Sequence, residues 1–308
     1  MTAPAPLIAA GIDLGGTKIE AQIFDSAWNR VASNRIATPK TYPELVAAMT
    51  QQITWIDAHT PNLPIGIAAA GLVNPATGLA LTANLSATGY PFPADIVAAN
   101  RPITYINDCR AQALSEAQFG AAKGFRTALT LNLGTGLAGG IVTDSHLLPS
   151  PTGLGGEFGH FALPAHVVAA HNLPILRCGC GRMGCTETLI AGPGLSRIVA
   201  HLTSRTLSPE EIVALRSTDL KIAACWAIWC ELAAELIHTL CLTVDPDCIV
   251  IAGGLCRARG LIPDLTAALT KAALTGYNAP LILLAQGGDT TGARGAAYAA
   301  YSNSQTHA

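Results

Sequence analysis

Three cysteines crowd into one short stretch, Cys178-Gly179-Cys180 and Cys185, with glycines between them that allow tight turns. Thiolates at that density suit a metal, and a tetrahedral structural zinc takes four ligands, so a histidine is expected to complete the set. His160, His166 and His171 all lie upstream, and spacing alone does not choose among them. The plainer reading is three buried thiols without a metal. Two acids flank the cluster: Glu157 lies three residues before His160, and Glu187 two after Cys185. A metal that pins both segments would bring these carboxylates to one place, where they could accept hydrogen bonds from hydroxyl groups. Taken separately, each also reads as a solvated acid.

Two glycine turns carry a second kind of chemistry. Leu7–Asp13 is a short apolar run that leads into Leu14-Gly15-Gly16-Thr17, and the residues after it alternate, with Ile19, Ala21 and Ile23 against Glu20 and Gln22. The pattern is strand, glycine turn, strand. A P-loop or a dinucleotide fingerprint needs a helix after its glycines, so neither applies. The pattern recurs as a strand over Thr127–Leu133, the turn Gly134-Thr135-Gly136, and a strand over Ala138–Thr143. Glycine lets successive backbone N–H groups approach an anion, so such turns are phosphate-sized nests. Each alone could be an ordinary hairpin. The pair, with Asp13 before one and Asn132 before the other, points to a duplicated architecture whose two turns face a nucleotide. Asn107-Asp108 follows a strand at Ile103–Ile106, at the carboxyl edge where α/β folds place ligands. Asp108 reads either as the N-cap of the next helix or as a general base acting on a sugar hydroxyl.

The elements that must position these groups alternate in type. Helices are expected over Tyr42–Ala58, Ala111–Phe119, Ser208–Arg216, Leu220–Val244, Ile262–Leu274 and Ala293–Ser302, the last opened by Gly292. Strands are expected over Cys248–Ala252, which ends in Gly253-Gly254, and over Pro280–Ala285, with a loop-rich stretch across Pro149–Arg182. Alternating strands and helices indicate α/β layers. The 308 residues amount to about two ordinary domains. Half of the residues are hydrophobic and 12% charged, which excludes a disordered chain. Eighteen Lys and Arg against 20 Asp and Glu leave no electrostatic footprint for nucleic acid or an anionic membrane. Charged residues interrupt the greasiest stretch, Leu220–Val244, and Met1–Ala10 has no basic region of the kind that opens a signal peptide. An odd count of nine cysteines fits reduced thiols in the cytoplasm.

Together these stretches resemble the ROK family of sugar kinases and sugar-responsive repressors. The resemblance rests on Gly11-Ile-Asp-Leu-Gly-Gly-Thr-Lys18, Asn107-Asp108, Leu133-Gly-Thr-Gly136, Gly156-Glu-Phe-Gly-His160, Cys178-Gly-Cys-Gly-Arg-Met-Gly-Cys185 with Glu187, and Asp245-Pro246 through Gly253-Gly254. It spans nearly the whole chain. Within the family, Gly156–Pro164, the spacer to Leu176–Cys180, Thr82-Ala-Asn-Leu-Ser86 and Gly292–Ala297 resemble the bacterial N-acetyl-D-glucosamine kinases.

The resemblance implies an actin-like, hexokinase-type (ribonuclease H-like) α/β fold of two lobes with a cleft between them. It places the smaller lobe at 1–107 plus 288–308 with the first phosphate turn, and the larger at 108–287 with the second turn and the zinc. The implied reaction is ATP-dependent phosphorylation of N-acetyl-D-glucosamine at its 6-hydroxyl. Other hexoses, such as glucose or N-acetylmannosamine, are the alternative substrates. The implied nucleotide ligands are Gly11, Ile12, Asp13, Leu14, Gly15, Gly16, Thr17 and Lys18 at the first turn, with Asp13 near Mg²⁺. Gly134, Thr135, Gly136, Leu137, Ala138, Gly139, Gly140 and Ile141 form the second turn, and Gly253 and Gly254 lie by the adenosine. Asp108 would be the base, with Asn84, Asn107, Glu157, His160 and Glu187 holding sugar hydroxyls. His160, Cys178, Cys180 and Cys185 would bind zinc. A homodimer is implied, with Trp226 and Trp229 serving either its interface or the core.

A DNA-binding repressor is disfavoured, because the first strand begins near residue 7 and leaves no room for a helix-turn-helix domain. A non-catalytic sugar-binding protein is disfavoured because Asp13, Asp108 and both glycine turns are present. Three positions depart from the family pattern. Ala70-Gly71 stands where Pro-Gly is usual, Ala138 interrupts the glycine run of the second turn, and Cys109-Arg110 follow Asp108. Arg110 would either lower the pKa of the base or point to solvent.

Overall fold

The computed structural model describes residues 5–82, 84–96, 103–288 and 291–306. Expectations about Met1–Pro4 and Ala83, and those parts of the lobe bounds that fall at 97–102, 289–290 and 307–308, lie outside the described residues. The chain divides into two compact units, Met1–Lys123 with Gly140–Gly155 and Gln286–Ala308, and Gly124–Gly139 with Gly156–Ala285. The expected lobe boundary at Asn107/Asp108 thus falls inside the first unit.

The first unit carries strands β1 (Leu7–Leu14), β2 (Lys18–Asp25), β3 (Arg30–Ala37), β4 (Ile65–Ala69), β5 (Leu72–Val73), β6 (Ala80–Leu81) and β7 (Ile103–Asn107). Its helices are α1 (Tyr42–His59), α2 (Phe92–Asp95) and α3 (Asp108–Phe119). The main sheet has the order β3-β2-β1-β4-β7, antiparallel from β3 to β1 and parallel from β1 to β7. Alternation along β1 and β2 sends Ile12, Leu14, Ile19, Ala21 and Ile23 into a core shared with Leu45, Met49, Ile53 and Ile56 of α1.

The closing helix of this unit, Thr291–Thr306, packs much more tightly. A Cβ on Gly11 would fall inside the radius of the Ala293 carbonyl oxygen. One on Gly66 would strike the Ala296 carbonyl, and one on Gly295 the Ala111 carbonyl. Backbone therefore lies on backbone across β1, β4 and α3, and a side chain at any of these three glycines would push the layers apart. Glu116, fully buried on α3, fixes the approach to this helix. Its carboxylate accepts the N–H groups of Ala121 (2.9 Å), Gln286 (3.1 Å) and Gly287 (2.7 Å), and these bonds offset the cost of burying the charge.

The second sheet has the order β10-β9-β8-β11-β12, built from β8 (Thr127–Leu133), β9 (Leu137–Thr143), β10 (His146–Leu147), β11 (Cys248–Ala252) and β12 (Leu281–Leu284). β8, β11 and β12 run parallel, and β9 and β10 antiparallel. With β1 and β8 as counterparts, both sheets place the strand before the glycine turn third from one edge and the strand after it second. The duplication expected from the two turns is therefore present in the strand order.

The second unit holds α4 (Ala165–Ala170), α5 (Glu187–Ile190), α6 (Gly192–Thr203), α7 (Pro209–Leu215), α8 (Leu220–Val244) and α9 (Leu261–Ala272), and the helix at Thr291–Thr306 is then α10. By length and composition α8 would cross a membrane. It is instead the core helix of its unit, with Ile222, Trp226, Trp229, Leu232, Leu236 and Leu240 buried. Trp229 Nε1–H donates to the Ile190 carbonyl (2.9 Å) and Trp226 Nε1–H to Asp264 of α9 (2.8 Å). Both indoles belong to the core, and the interface alternative for them is corrected: each ring has its N–H partner within the chain and almost no exposed surface.

Candidate active site and metal centre

In the first unit, Asp13 lies one residue before the end of β1 with its carboxyl 3.1 Å from where a Cβ on Gly292 would sit, so the acid lies against the first turn of α10. Gly15 N–H donates to Lys18 O (3.0 Å) and closes the turn, while Thr38 Oγ1 donates to Gly15 O (2.6 Å). Lys40 Nζ reaches Gly16 O at 3.3 Å. A Cβ on Gly16 would meet Asn84 at 2.8 Å, so Asn84 packs on the turn and Gly16 has no room for a side chain. Ile12 and Leu14 are core residues of β1, and Thr17 is exposed at the tip.

Asn107 and Asp108 stand where β7 gives way to α3. Asn107 is the N-cap, accepting the N–H groups of Cys109 (2.9 Å) and Arg110 (3.3 Å), and its Nδ2 donates to Gly71 O (3.2 Å). With Asn107 as the cap, Asp108 is the first helical residue and its capping reading falls away. Burial pushes the Asp108 carboxyl above its ordinary value, although the Cys109 N–H works the other way (2.8 Å). The same burial, together with the Asp108 charge, raises the phenol of Tyr105 on β7.

Arg110 does not pair with Asp108. Its guanidinium donates to the Leu148 carbonyl (3.0 Å), which replaces both earlier alternatives. Gly71 has φ of +107°, and a Cβ there would crowd Leu81 and Thr82, so this loop depends on its glycine whether or not a proline precedes it. Gly140 and Ile141, at the far end of β9, also belong to the first unit. A Cβ on Gly140 would stand 2.6 Å from the Ala113 Cβ of α3.

In the second unit the cysteine cluster closes as the resemblance implies. The ligand atoms of His160, Cys178, Cys180 and Cys185 all lie within 4.8 Å of one another. Cys178 Sγ is 3.7 Å from His160 Nδ1, and Cys180 Sγ is 3.6 Å from Cys185 Sγ. A zinc–sulfur bond of about 2.3 Å in a tetrahedron sets ligand edges of about 3.8 Å, so the donor set fits the ion in type and spacing. His166 and His171 are engaged elsewhere, with Glu235 of α8 (3.3 Å) and Glu231 of α8 (2.7 Å). Among the thiols, burial beside the others pushes Cys185 up to about 12. A bound cation would reverse that preference and hold it as thiolate.

Glu157 and Glu187 both touch this cluster. His160 Nε2 lies 3.6 Å from Glu157 Oε2, the arrangement in which a carboxylate orients a ligating imidazole. Since His160 Nδ1 faces the thiols and Nε2 faces Glu157, a role in holding sugar would fall to Nε2, shared with Glu157, or to Glu157 itself. Glu187 opens α5 and bridges two features. Its Oε1 is 3.6 Å from Cys178 Sγ, and its Oε2 accepts the Leu137 N–H (3.0 Å) just past Gly136. The cysteine loop is thereby tied to the second glycine turn. Gly134 N–H closes that turn on Gly136 O (3.1 Å), and Gly192 N–H donates to Gly134 O (2.8 Å). Ala138 is half-buried in regular strand, and Gly139 N–H pairs with Gly156 O (2.8 Å), so the alanine is accommodated.

Beside the second turn lies a cavity of about 800 Å³. Leu133, Gly134 and Thr135 line it from the turn, Gly192, Pro193 and Ser196 from α6, and Pro209, Glu210 and Val213 from α7. Gly254, Leu255, Arg257 and Ala258 line it from the segment after β11. Gly253 itself has φ of +84°, and a Cβ would strike Asn132 and Leu133. The residues of α6 and α7 were not singled out in the sequence. Gly192-Pro193-Gly194 hides a helix start, and the one available signal was Ser208-Pro-Glu-Glu211, a capping box.

The sequence model of the ROK family matches residues 9–303. The chain belongs to the ROK family. It is 35% identical over 292 residues to an N-acetylgalactosamine kinase, AgaK, of Shewanella sp. (strain ANA-3), covering 93% of this chain and 94% of that protein. It is 33% identical over 295 residues to an N-acetyl-D-glucosamine kinase of Yersinia pseudotuberculosis, covering 94% and 97%. Among solved structures, a ROK hexokinase from Thermus thermophilus superposes with a TM-score of 0.85 at 28% identity, over 98% of this chain and all of that one. A ROK family glucokinase from Streptomyces griseus, in complex with glucose and AMPPNP, gives 0.74 at 25% identity, over 96% and 99%. The fold of this ROK protein is thus the actin-like, two-lobed sugar-kinase fold. Its relatives carry out ATP-dependent sugar phosphorylation, and a small-molecule sugar as substrate follows at that level.

Proposed function

We propose that this ROK kinase transfers the γ-phosphoryl group of ATP to the 6-hydroxyl of N-acetyl-D-glucosamine. The observation that carries the catalytic part is Asp108: a half-buried carboxyl at the end of β7, raised above its ordinary value and spared from capping by Asn107. Phosphoryl transfer asks a protein chiefly for positioning and charge neutralisation, plus one acceptor for the hydroxyl proton. Asp108 takes that proton as the oxygen attacks. The turns at Gly11–Lys18 and Gly134–Ile141 border the phosphates, the N–H groups of Gly15, Gly134, Leu137 and Gly139 shaping them through bonds inside the protein, and Gly253 and Gly254 border the adenosine. Asp13 is the hard oxygen ligand suited to Mg²⁺, which when bound with ATP neutralises phosphate charge. Asn84, Asn107, Glu157, His160 and Glu187 hold sugar hydroxyls. Zinc on His160, Cys178, Cys180 and Cys185 fixes the loop that aims Glu157 and Glu187. This reading places the enzyme in the cytoplasm as a homodimer of two-lobed subunits.

The likeness to N-acetylgalactosamine kinase supports a second reading, in which the C4 epimer is the better substrate. A coupled assay of ADP release decides between them, run with N-acetylglucosamine, N-acetylgalactosamine, N-acetylmannosamine and glucose, with products located by NMR. N-acetylglucosamine is expected to give the highest kcat/KM. Glucose should be a poor but measurable substrate, because a pocket sized for an acetamido group rejects a smaller ligand by only about 1–3 kcal/mol. Equal or better use of glucose overturns the N-acetylhexosamine assignment, and a higher value for N-acetylgalactosamine selects the second reading.

A further inference from the structure

Two neighbouring acids open α7, and the fold spends them differently. Ser208 Oγ accepts the Glu211 N–H (3.2 Å) while Ser208 N–H donates to Glu211 Oε2 (2.7 Å), so Glu211 is consumed by the capping box. Glu210 stays out of that box, and its residue lines the 800 Å³ cavity. Among the described residues Glu210 makes no ion pair and no hydrogen bond, although Arg257 lines the same cavity. The other end of α7 is held firmly. Arg216 stacks on the Trp226 ring at 4.0 Å, approaches Asp264 at 3.7 Å and donates to the Arg259 carbonyl. The helix bearing Glu210 is therefore anchored at both ends, which fixes the backbone from which Glu210 borders the cavity.

A carboxylate only accepts hydrogen bonds, so its ligand must bring donors. The phosphates of a nucleotide bring none, and on the nucleotide reading they belong at the Gly134-Thr135 end of the cavity, by the glycine turn. Pro193, Pro209, Val213 and Leu255 give the cavity apolar walls suited to a flat base. Between phosphates and base lies the ribose, whose vicinal hydroxyls present two donors to two carboxylate oxygens. Glu210 is solvent-exposed at the rim, where the polar middle of a nucleotide remains wet.

We propose that Glu210 recognises the ribose hydroxyls of the nucleotide and is the residue that separates ribonucleoside from 2′-deoxyribonucleoside triphosphates. The proposal rests on the nucleotide reading of the second glycine turn.

The test compares ATP, 2′-deoxy-ATP and ITP at saturating N-acetylglucosamine, in the wild type and in Glu210→Ala, with thermal unfolding to establish that both are folded. Loss of one charge-assisted hydrogen bond should lower wild-type kcat/KM for 2′-deoxy-ATP roughly tenfold relative to ATP. In Glu210→Ala that ratio should fall to within about twofold of one, as expected when the bond is missing for both nucleotides. The ATP-to-ITP ratio should be the same in both proteins. A ratio for 2′-deoxy-ATP that persists in the variant overturns the proposal. So does collapse of the ITP ratio instead, which would mean that Glu210 reads the base amino group. If the wild type consumes no nucleotide with any sugar, the kinase reading fails by itself. The ribose assignment is then decided by calorimetric binding of ADP against 2′-deoxy-ADP to the same two proteins, where the same ratios support or overturn it.

Discussion

The two glycine turns sit on sheets of matching strand order, yet they are held by opposite means. The first is supported by backbone packing. Glycines at 11, 66 and 295 let α10 lie directly against β1, β4 and α3, and the acid at the turn, Asp13, sits against the opening of that helix. The second is supported by side chains. The Glu187 carboxylate binds the Leu137 N–H on one side and approaches Cys178 on the other, so the cysteine loop acts as its buttress. A duplicated scaffold can therefore keep its topology while each copy solves the problem of rigidity separately. The first copy does so with the absence of side chains, the second with a bridged carboxylate and a thiol cluster. Substitutions that distinguish the two modes test this contrast.

The largest effect is expected at the base, which belongs to the packed unit. Asp108→Asn should lower kcat by at least about a hundredfold while leaving sugar binding nearly intact. The same change should stabilise the fold near neutral pH. Because burial raises the Asp108 pKa, the folded chain holds this proton more tightly than the unfolded chain does. Stability from the protonated form is complete below the ordinary value and is lost as pH rises through the raised one. Asparagine removes that loss. Near-normal turnover in Asp108→Asn, or a lower Tm at pH 7, would count against the assignment.

The next effect concerns the buttress. Purified protein should contain about one zinc per chain by metal analysis. Cys180→Ser should lose the ion and lower Tm by at least about 4 °C, the shift that ~2 kcal/mol produces in a domain of this size. Folded, active protein without zinc would sink the metal and leave Glu187 alone to carry the second turn.

A matched pair separates glycines required by geometry from those that are not. Gly253 has φ of +84° and no room for a Cβ, whereas Gly254 has nothing within 4 Å of one. Gly253→Ala should cost about 2 kcal/mol or more, and Gly254→Ala about 0.5 kcal/mol or less, read by denaturant unfolding. Equal costs would show that the turn beside β8 relaxes freely.

Much of this was legible in the residues. Strand–glycine–strand spacing marked both turns, Thr127–Leu133, Leu220–Val244 and Cys248–Ala252 matched the observed elements, and the cysteine spacing announced a four-ligand site. The rest was hidden for physical reasons. Three histidines stood at plausible distances from the thiols, and only folding shows that His166 and His171 turn to α8. Asn107 and Asp108 are both capping types, so which of them caps α3 is a matter of backbone geometry. Helix α6 begins Gly-Pro-Gly, a sequence that locally reads as a turn, and it forms because Leu195, Ile198 and Val199 bury on one face. Glu116 looks like a solvated helix acid until the loop at Gln286–Gly287 closes over it. Long-range closure of this kind leaves no local pattern.

The smallest effect sharpens the role of the unusual residue after the base. Arg110 follows Asp108 closely enough in sequence to suggest that it lowers the pKa of the acid. In the structure its guanidinium is spent on the Leu148 carbonyl, and what moves the Asp108 pKa is burial and the Cys109 N–H. Arg110→Gln should therefore cost the hydrogen bond and little else, about 1 kcal/mol of stability. The acid limb of kcat against pH should keep its midpoint, since that limb reports protonation of Asp108 in the ternary complex. If the positive charge did act on the base, removing it would favour the neutral acid, and the limb would move to higher pH. Measuring the profile from pH 4.5 to 8 in wild type and Arg110→Gln distinguishes the two cases: a common midpoint assigns Arg110 to the fold, and an upward shift assigns it to the acid.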